Sequence, residues 1–143
     1  GLIVVSNGSY KIKRNGTLYT GKDAIKIDHA TPQIKLSTTN NQKSVMGVVS
    51  LIENDTVLIN STGEGGIWIC NKNGNLENGD YITTCEVSGY GVKQSDDILH
   101  SYTVAKITCD VDFSNVLGFE NKTITHNSVS YIACFVGCTY HCG

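Results

Sequence analysis

The sequence predicts an all-β fold, and three observations carry that prediction. Ile, Val, Thr, Asn and Ser dominate the 143-residue chain, while Ala and Leu, the good helix formers, are scarce. Short extended-type runs recur between reversals such as Asn73-Gly74 and Asn78-Gly79, whose residues accept positive φ. No segment sustains an apolar period of 3.6 residues. The length fits one compact domain, 1–143, of short antiparallel strands, long enough to bury a core without metals or disulfides. No repeat, low-complexity tract or strong linker divides it.

Each element follows from local pattern. Leu2–Ser6 is a strand, Asn7-Gly8 a turn, and Tyr10–Arg14 a half-buried strand ended by Asn15-Gly16. Ile25 and Ile27 alternate with Lys26 and Asp28 as a short strand, and Pro32 marks an edge or an entry. Ile34 and Leu36 alternate with polar neighbours, and Thr38–Lys43 is a polar loop. Val45–Leu51 is apolar on both faces, as in the middle of a sheet, with Gly47 permitting a bend or close contact. Asn54-Asp55 reverses the chain into Thr56–Asn60, and Ser61–Gly66 is a glycine-rich corner. Ile67–Ile69, Tyr81–Thr84 and residues 102–108 are further strands. Ser95 could cap a single helical turn to Leu99. Ser114–Asn127 is the least patterned stretch and is expected to be a surface loop, followed by a last strand, Ser128–Val136, and a tail from Gly137.

A net charge of −2 argues against nucleic acid or an anionic membrane as partner. Lys11, Lys13 and Arg14 form a small basic patch that a solvated strand face accounts for. No run approaches the ~20 apolar residues of a membrane span, and residues 1–5 lack the features of a signal peptide. The chain is expected to be a fragment of a longer polypeptide.

Candidate chemistry is sparse. Cys134, Cys138, His141 and Cys142 cluster in the tail and could ligate zinc. A strand would instead spread Cys134, Cys138 and Cys142 along one face, as buried or disulfide-forming thiols. Cys70, Cys85 and Cys109 each lie in a strand-like run, where a thiol packs as a small hydrophobe. Asp96-Asp97 with His100 and Lys106 is the best acid–base candidate, against a solvated turn or an inter-subunit salt bridge. Glu64 is either a lone acid or a corner residue, and Ser101 with Lys106 point to opposite strand faces. Gly63-x-Gly65-Gly66 lacks the Lys-Ser/Thr pair and the helix of a phosphate loop. Asn71–Asp80 misses calcium-loop spacing.

Several blocks together resemble one family. They are Gly63-Glu-Gly-Gly-Ile-Trp68, Asn71-Lys-Asn-Gly-Asn-Leu-Glu-Asn-Gly-Asp-Tyr-Ile-Thr-Thr84, Gly89-Tyr-Gly-Val-Lys-Gln94 and Leu99-His-Ser-Tyr-Thr-Val-Ala-Lys106. Gly1–Val5, Lys43–Ser50 and the ending Phe135–Gly143 add to them. The pattern is similar to the peptidase G2 family, the autoproteolytic C-terminal intramolecular chaperone domains of phage and large-virus fibre or appendage proteins. The resemblance covers most of the chain and is specific between about Ser61 and Ile107.

What the resemblance implies is the C-terminal fragment of that longer polypeptide, a homotrimer that brings three chains into register, folds an upstream fibre segment of the same polypeptide, and is then released by self-cleavage. It places the domain in the host cell during virus assembly, or on the virion surface if it is not released. The family's acidic cleavage motif lies upstream and has no counterpart in this chain, so no catalytic residue is carried over and no cofactor is expected. Trp68, Tyr81, Tyr90 and Tyr102 are expected as core or interface anchors, because aromatic rings dominate buried area. The alternatives are a retained structural or receptor-binding module of a virion fibre, and a small zinc protein using the cysteine-rich tail.

Overall fold

A computed structural model of the chain describes residues 1–25 and 31–143. It is all-β, with two sheets. The first is built on the long strand β1 (Ile3–Arg14). β1 pairs antiparallel with β2 (Thr17–Thr20), β3 (Thr31–Leu36) and β4 (Val45–Glu53), and β4 pairs with β5 (Thr56–Asn60). β3 pairs only with β1 among the described strands, so Pro32 lies on an edge where its missing N–H costs nothing. The one α-helix among the described residues, α1 (Lys22–Ile25), is a single turn following Gly21. The strand expected through Ile25 and Ile27 is therefore replaced by helix at Ile25, and its remainder lies outside the described residues.

The second sheet contains β6 (Thr62–Cys70), β7 (Tyr81–Thr84), β8 (Gly91–Lys93), β9 (Ala105–Ile107), β10 (Glu120–His126) and β11 (Val129–His141). Its order is β10-β11-β6-β8-β7-β9, and β9 also pairs with β11. That last pairing closes β11, β6, β8, β7 and β9 into a small barrel, leaving β10 outside. Closure removes the free edges that an open sheet of short strands would expose.

Three reversals are two-residue hairpins with both central residues at positive φ. Asn15-Gly16 has φ 50° and 79°, Asn54-Asp55 has 45° and 63°, and Asn127-Ser128 has 49° and 64°. This geometry matches the right-handed strand twist. Asn73-Gly74 and Asn78-Gly79 serve differently. They form tight loops between β6 and β7, which are not paired with each other, with Gly74 and Gly79 at φ 88° and 99°.

Several boundaries differ from expectation. Asn7-Gly8 is a bulge within β1, not a turn: the β1–β3 register shifts between Ser6 and Tyr10, and Gly8 takes φ 88°. The side chains of Ser6 and Asn7 accept hydrogen bonds from the backbone N–H of Gly8 (3.1 Å) and Ser9 (2.9 Å), so the local turn chemistry is satisfied without reversing the strand. The expected corner Ser61–Gly66 is mostly strand β6. Gly65 and Gly66 lie there under the rings of Tyr140 and Phe135, which occupy the space a Cβ would need. The loop expected at 114–127 yields β10, and the last strand continues through the expected tail to His141. β10 is a strand because the two-residue reversal at Asn127-Ser128 folds it onto Val129–Phe135 of β11, and β11 continues to His141 because β6 and β9 pair with its second half; these pairings outweigh a weak polar pattern. The strand at 102–108 shortens to β9, and residues 95–98 form bends with no helical turn.

The core is aliphatic. Ile67, Ile69, Ile82, Val104, Ile107 and Val136 fill it, and Ile3 and Val48 join from the first sheet. Tyr140 is the buried aromatic that ties β11 to β6, its hydroxyl donating to the Gly66 carbonyl at 2.6 Å. Tyr140→Phe keeps the ring over Gly65 and removes the hydroxyl with its bond to Gly66. It is expected to lower stability by about 1 kcal/mol, read as a shifted urea midpoint at unchanged slope.

Candidate functional site

The chemistry-bearing residues do not converge, whereas the apolar ones form a distinct surface. β4 leaves the core after Val49. The β4–β5 register shifts between Val49 and Leu51, beyond which every residue from Ser50 to Leu58 is exposed. Past that shift Leu51 stands opposite Leu58, and Ile52 opposite Val57. Successive residues of a strand point to opposite faces, so one apolar pair occupies each face of this hairpin. Ile52 is 69% exposed, Leu58 50% and Leu51 47%. The hairpin is thus an arm with apolar side chains on both sides.

One side of the arm forms the wall of an open groove of about 940 Å³. Ile12, Pro32, Ile34 and Met46 line it from β1, β3 and β4, and Val57 and Ile59 from β5. The charged groups at its margin, Lys11 and Asp55, are of opposite sign. An isolated chain gains nothing from such a surface. Exposed apolar surfaces of this kind are common at protein–protein contacts.

The aromatic residues expected as anchors are half-buried, and Trp68 and Tyr90 pack against a buried cluster of Cys70, Cys85, Val87, Val92 and Ala133. Trp68 contacts Phe135 and Tyr90, with ring centroids 5.6 and 6.3 Å away, and the Lys122 ammonium lies 4.3 Å from its ring centre. Tyr81 packs edge-on to His141, with Lys106 over its ring at 5.8 Å. Tyr102 stacks on His100 at 4.5 Å.

The cysteines are six free thiols. Cys134 and Cys138 are buried on one face of β11, and Cys142 is half-buried just beyond it. No group of three His, Cys, Asp or Glu side chains among the described residues could hold a metal ion. Burial pushes the Cys138 thiol up to about 12 and that of Cys142 to about 11, and raises Cys134 and Cys109 as well. Cys70 and Cys85 are hydrogen-bonded to each other, which lowers Cys70 and raises Cys85. A thiol held protonated is a poor nucleophile. The folded protein is expected to show no fast reaction of Cys134, Cys138 or Cys142 with Ellman's reagent at mildly alkaline pH. All six thiols should react after unfolding in guanidinium.

The acid–base candidate is brought together only in part. His100 Nε2 lies 3.0 Å from both carboxylate oxygens of Asp96, and this contact holds the Asp96 carboxyl below its ordinary range, helped by the Ile98 N–H. Asp96 also accepts from Gln94, whose own carbonyl oxygen takes the Thr103 hydroxyl at 2.6 Å. These bonds pin a surface loop. Asp97 and Ser101 are exposed, and Lys106 sits over the Tyr81 ring, so the Asp96–His100 pair is not joined by the other expected groups. Glu64 is an exposed residue of β6 opposite Thr139.

The arm was not legible as a site. An apolar run such as Val45–Leu51 marks a strand covered on both faces, but it does not say whether its own chain or another covers it. No family model, curated protein or solved structure matches this chain.

Proposed function

We propose that the chain is a self-associating assembly domain: a homotrimeric intramolecular chaperone that holds three copies in register while an upstream fibre segment of the same polypeptide folds. The observation that supports self-association is the β4–β5 arm with Leu51 and Leu58 on one face and Ile52 and Val57 on the other. An arm of this kind fits between neighbouring copies, with one apolar pair packed against each. The groove beside it, lined by Ile12, Ile34 and Ile59, offers the matching concave surface. The threefold number, the fibre and release by self-cleavage rest on the resemblance to the peptidase G2 domains.

The physical logic is consistent with such a role. Intertwined β-fibres have high contact order and fold slowly, with register errors along the way. A trimer formed at one end raises the effective concentration of the three strands to be paired. A reversible, mostly apolar contact is well suited to a domain that is later discarded. Size-exclusion chromatography with light scattering tests the reading directly. A mass of three chains at micromolar concentration is expected, and a single-chain mass there would overturn it.

A further inference from the structure

On the barrel, away from the arm, lies a small polar cleft of about 180 Å³. Its walls come from the 38–42 loop, the 3-10 turn Asn71–Asn73, the β7 strand and the end of β8. The principal side chains are Asn40, Asn41, Lys72, Asn73, Thr83 and Lys93. We propose that this cleft binds a carboxylated sugar, one acidic pyranose unit of a glycan.

The walls are held by bonds of their own. The buried Thr84 hydroxyl donates to the Thr39 carbonyl at 2.7 Å and accepts from the Gln42 N–H at 2.8 Å. The Gln42 side chain accepts from the Thr38 N–H at 3.0 Å, and Asn41 takes φ 49°. The Thr83 hydroxyl, 4% exposed as a residue, donates to Asn41 Oδ1 at 2.9 Å. Asn73 Nδ2 donates to the Lys93 carbonyl at 3.1 Å. A loop tied down in this way loses little entropy when a ligand arrives.

What remains unused defines the ligand. Among the described residues, the Asn41 side-chain nitrogen and Asn73 Oδ1 have no partner, and Asn40 makes no side-chain bond. Lys93 is committed to Asp80 at 3.0 Å, but Lys72 has only a long contact, 3.9 Å, to the exposed Glu86. The cleft therefore offers one loosely held ammonium beside carboxamide donors and acceptors, with room for one six-membered ring. A carboxylate would engage Lys72 in place of Glu86, and sugar hydroxyls, which both donate and accept, would satisfy Asn41 and Asn73. A bare anion would leave Asn73 Oδ1 unused. This inference does not depend on the self-association reading, and its failure would leave that reading untouched.

The test is an amide-shift NMR titration of the full chain with methyl glucuronide, methyl glucoside and inorganic phosphate. Saturable shifts confined to residues 39–42, 71–73, 83–84 and 93 are expected with the glucuronide, with at least about tenfold weaker binding of the neutral sugar, the value of one charge-assisted hydrogen bond. Equal affinity for the two sugars, phosphate binding as tightly as the glucuronide, or no saturable shift would each overturn it. Two surface variants add opposite signs. Lys72→Met should weaken glucuronide binding about tenfold, and Glu86→Gln, which removes the competing carboxylate, should tighten it. Unchanged affinity in both, at unchanged melting temperature, would also overturn the proposal.

Discussion

Replacing Ile52 by Asp is expected to convert the associated protein to single chains while leaving each chain as stable as before. Ile52 is 69% exposed and stands opposite Val57 near the end of the arm. In an isolated chain an exposed side chain of this kind contributes little, within about 0.5 kcal/mol on substitution. In an assembly it would be covered. A carboxylate placed there would be buried without a partner, at a cost of several kcal/mol per copy. Light scattering should therefore report the single-chain mass for Ile52→Asp, with a melting temperature that no longer depends on protein concentration. Leu117→Asp is the control. Leu117 is 92% exposed, but it lies in the loop before β10 and not on the arm, so its substitution should leave the mass unchanged. An unaltered mass for Ile52→Asp would show that the arm is not the contact surface.

Gly47→Ala is expected to lower stability by about 3–5 kcal/mol, combining backbone strain with steric overlap. Gly47 sits in β4 where the first sheet meets the barrel, opposite Val4 of β1. Its φ is +154°, and a Cβ would collide with the Asn60 carbonyl of β5, a backbone atom that cannot move aside as a flexible side chain could. The neighbouring pair, Val48 and Ile3, is fully buried. The cost therefore falls on the join between arm and core. A chemical denaturation midpoint well below that of the wild type is the expected result. If the methyl were accommodated by opening the β4–β5 pairing, association would be lost together with stability. That outcome is distinct from Ile52→Asp, where association alone should go. A change of less than ~1 kcal/mol would mean that β4 can relax at this point.

Local chemistry made the turns legible. Asn15-Gly16 and Asn54-Asp55 accept positive φ within their own few atoms, so each could be placed before any partner strand was known. Tyr81–Thr84 was legible for a similar reason, being a β-type run between a glycine turn and a second break. β10 was not. Glu120–His126 carries mostly polar, exposed side chains, and what makes it a strand is the hydrogen-bonding edge that β11 offers from Val129 to Phe135. The same holds for Gly65 and Gly66, which look like a corner until the rings of Tyr140 and Phe135 cover them. The contacts of Trp68 and Tyr90 with Cys70, Cys85 and Val92 depend on strands brought together from separate parts of the chain, which no run of residues encodes on its own.

The amino-acid order alone determined the β character, the places where the chain reverses and the supply of branched aliphatic side chains for a core. Those are short-range properties, set by φ preferences and by the alternation of side chains along a strand. The tertiary structure alone decided that five strands close into a barrel, that Cys70 and Cys85 are brought together, and that Leu51, Ile52, Val57 and Leu58 are left uncovered. Whether an apolar side chain is inside or outside depends on what packs over its strand, and for a core strand such as β6 the partner, β11, lies tens of residues away.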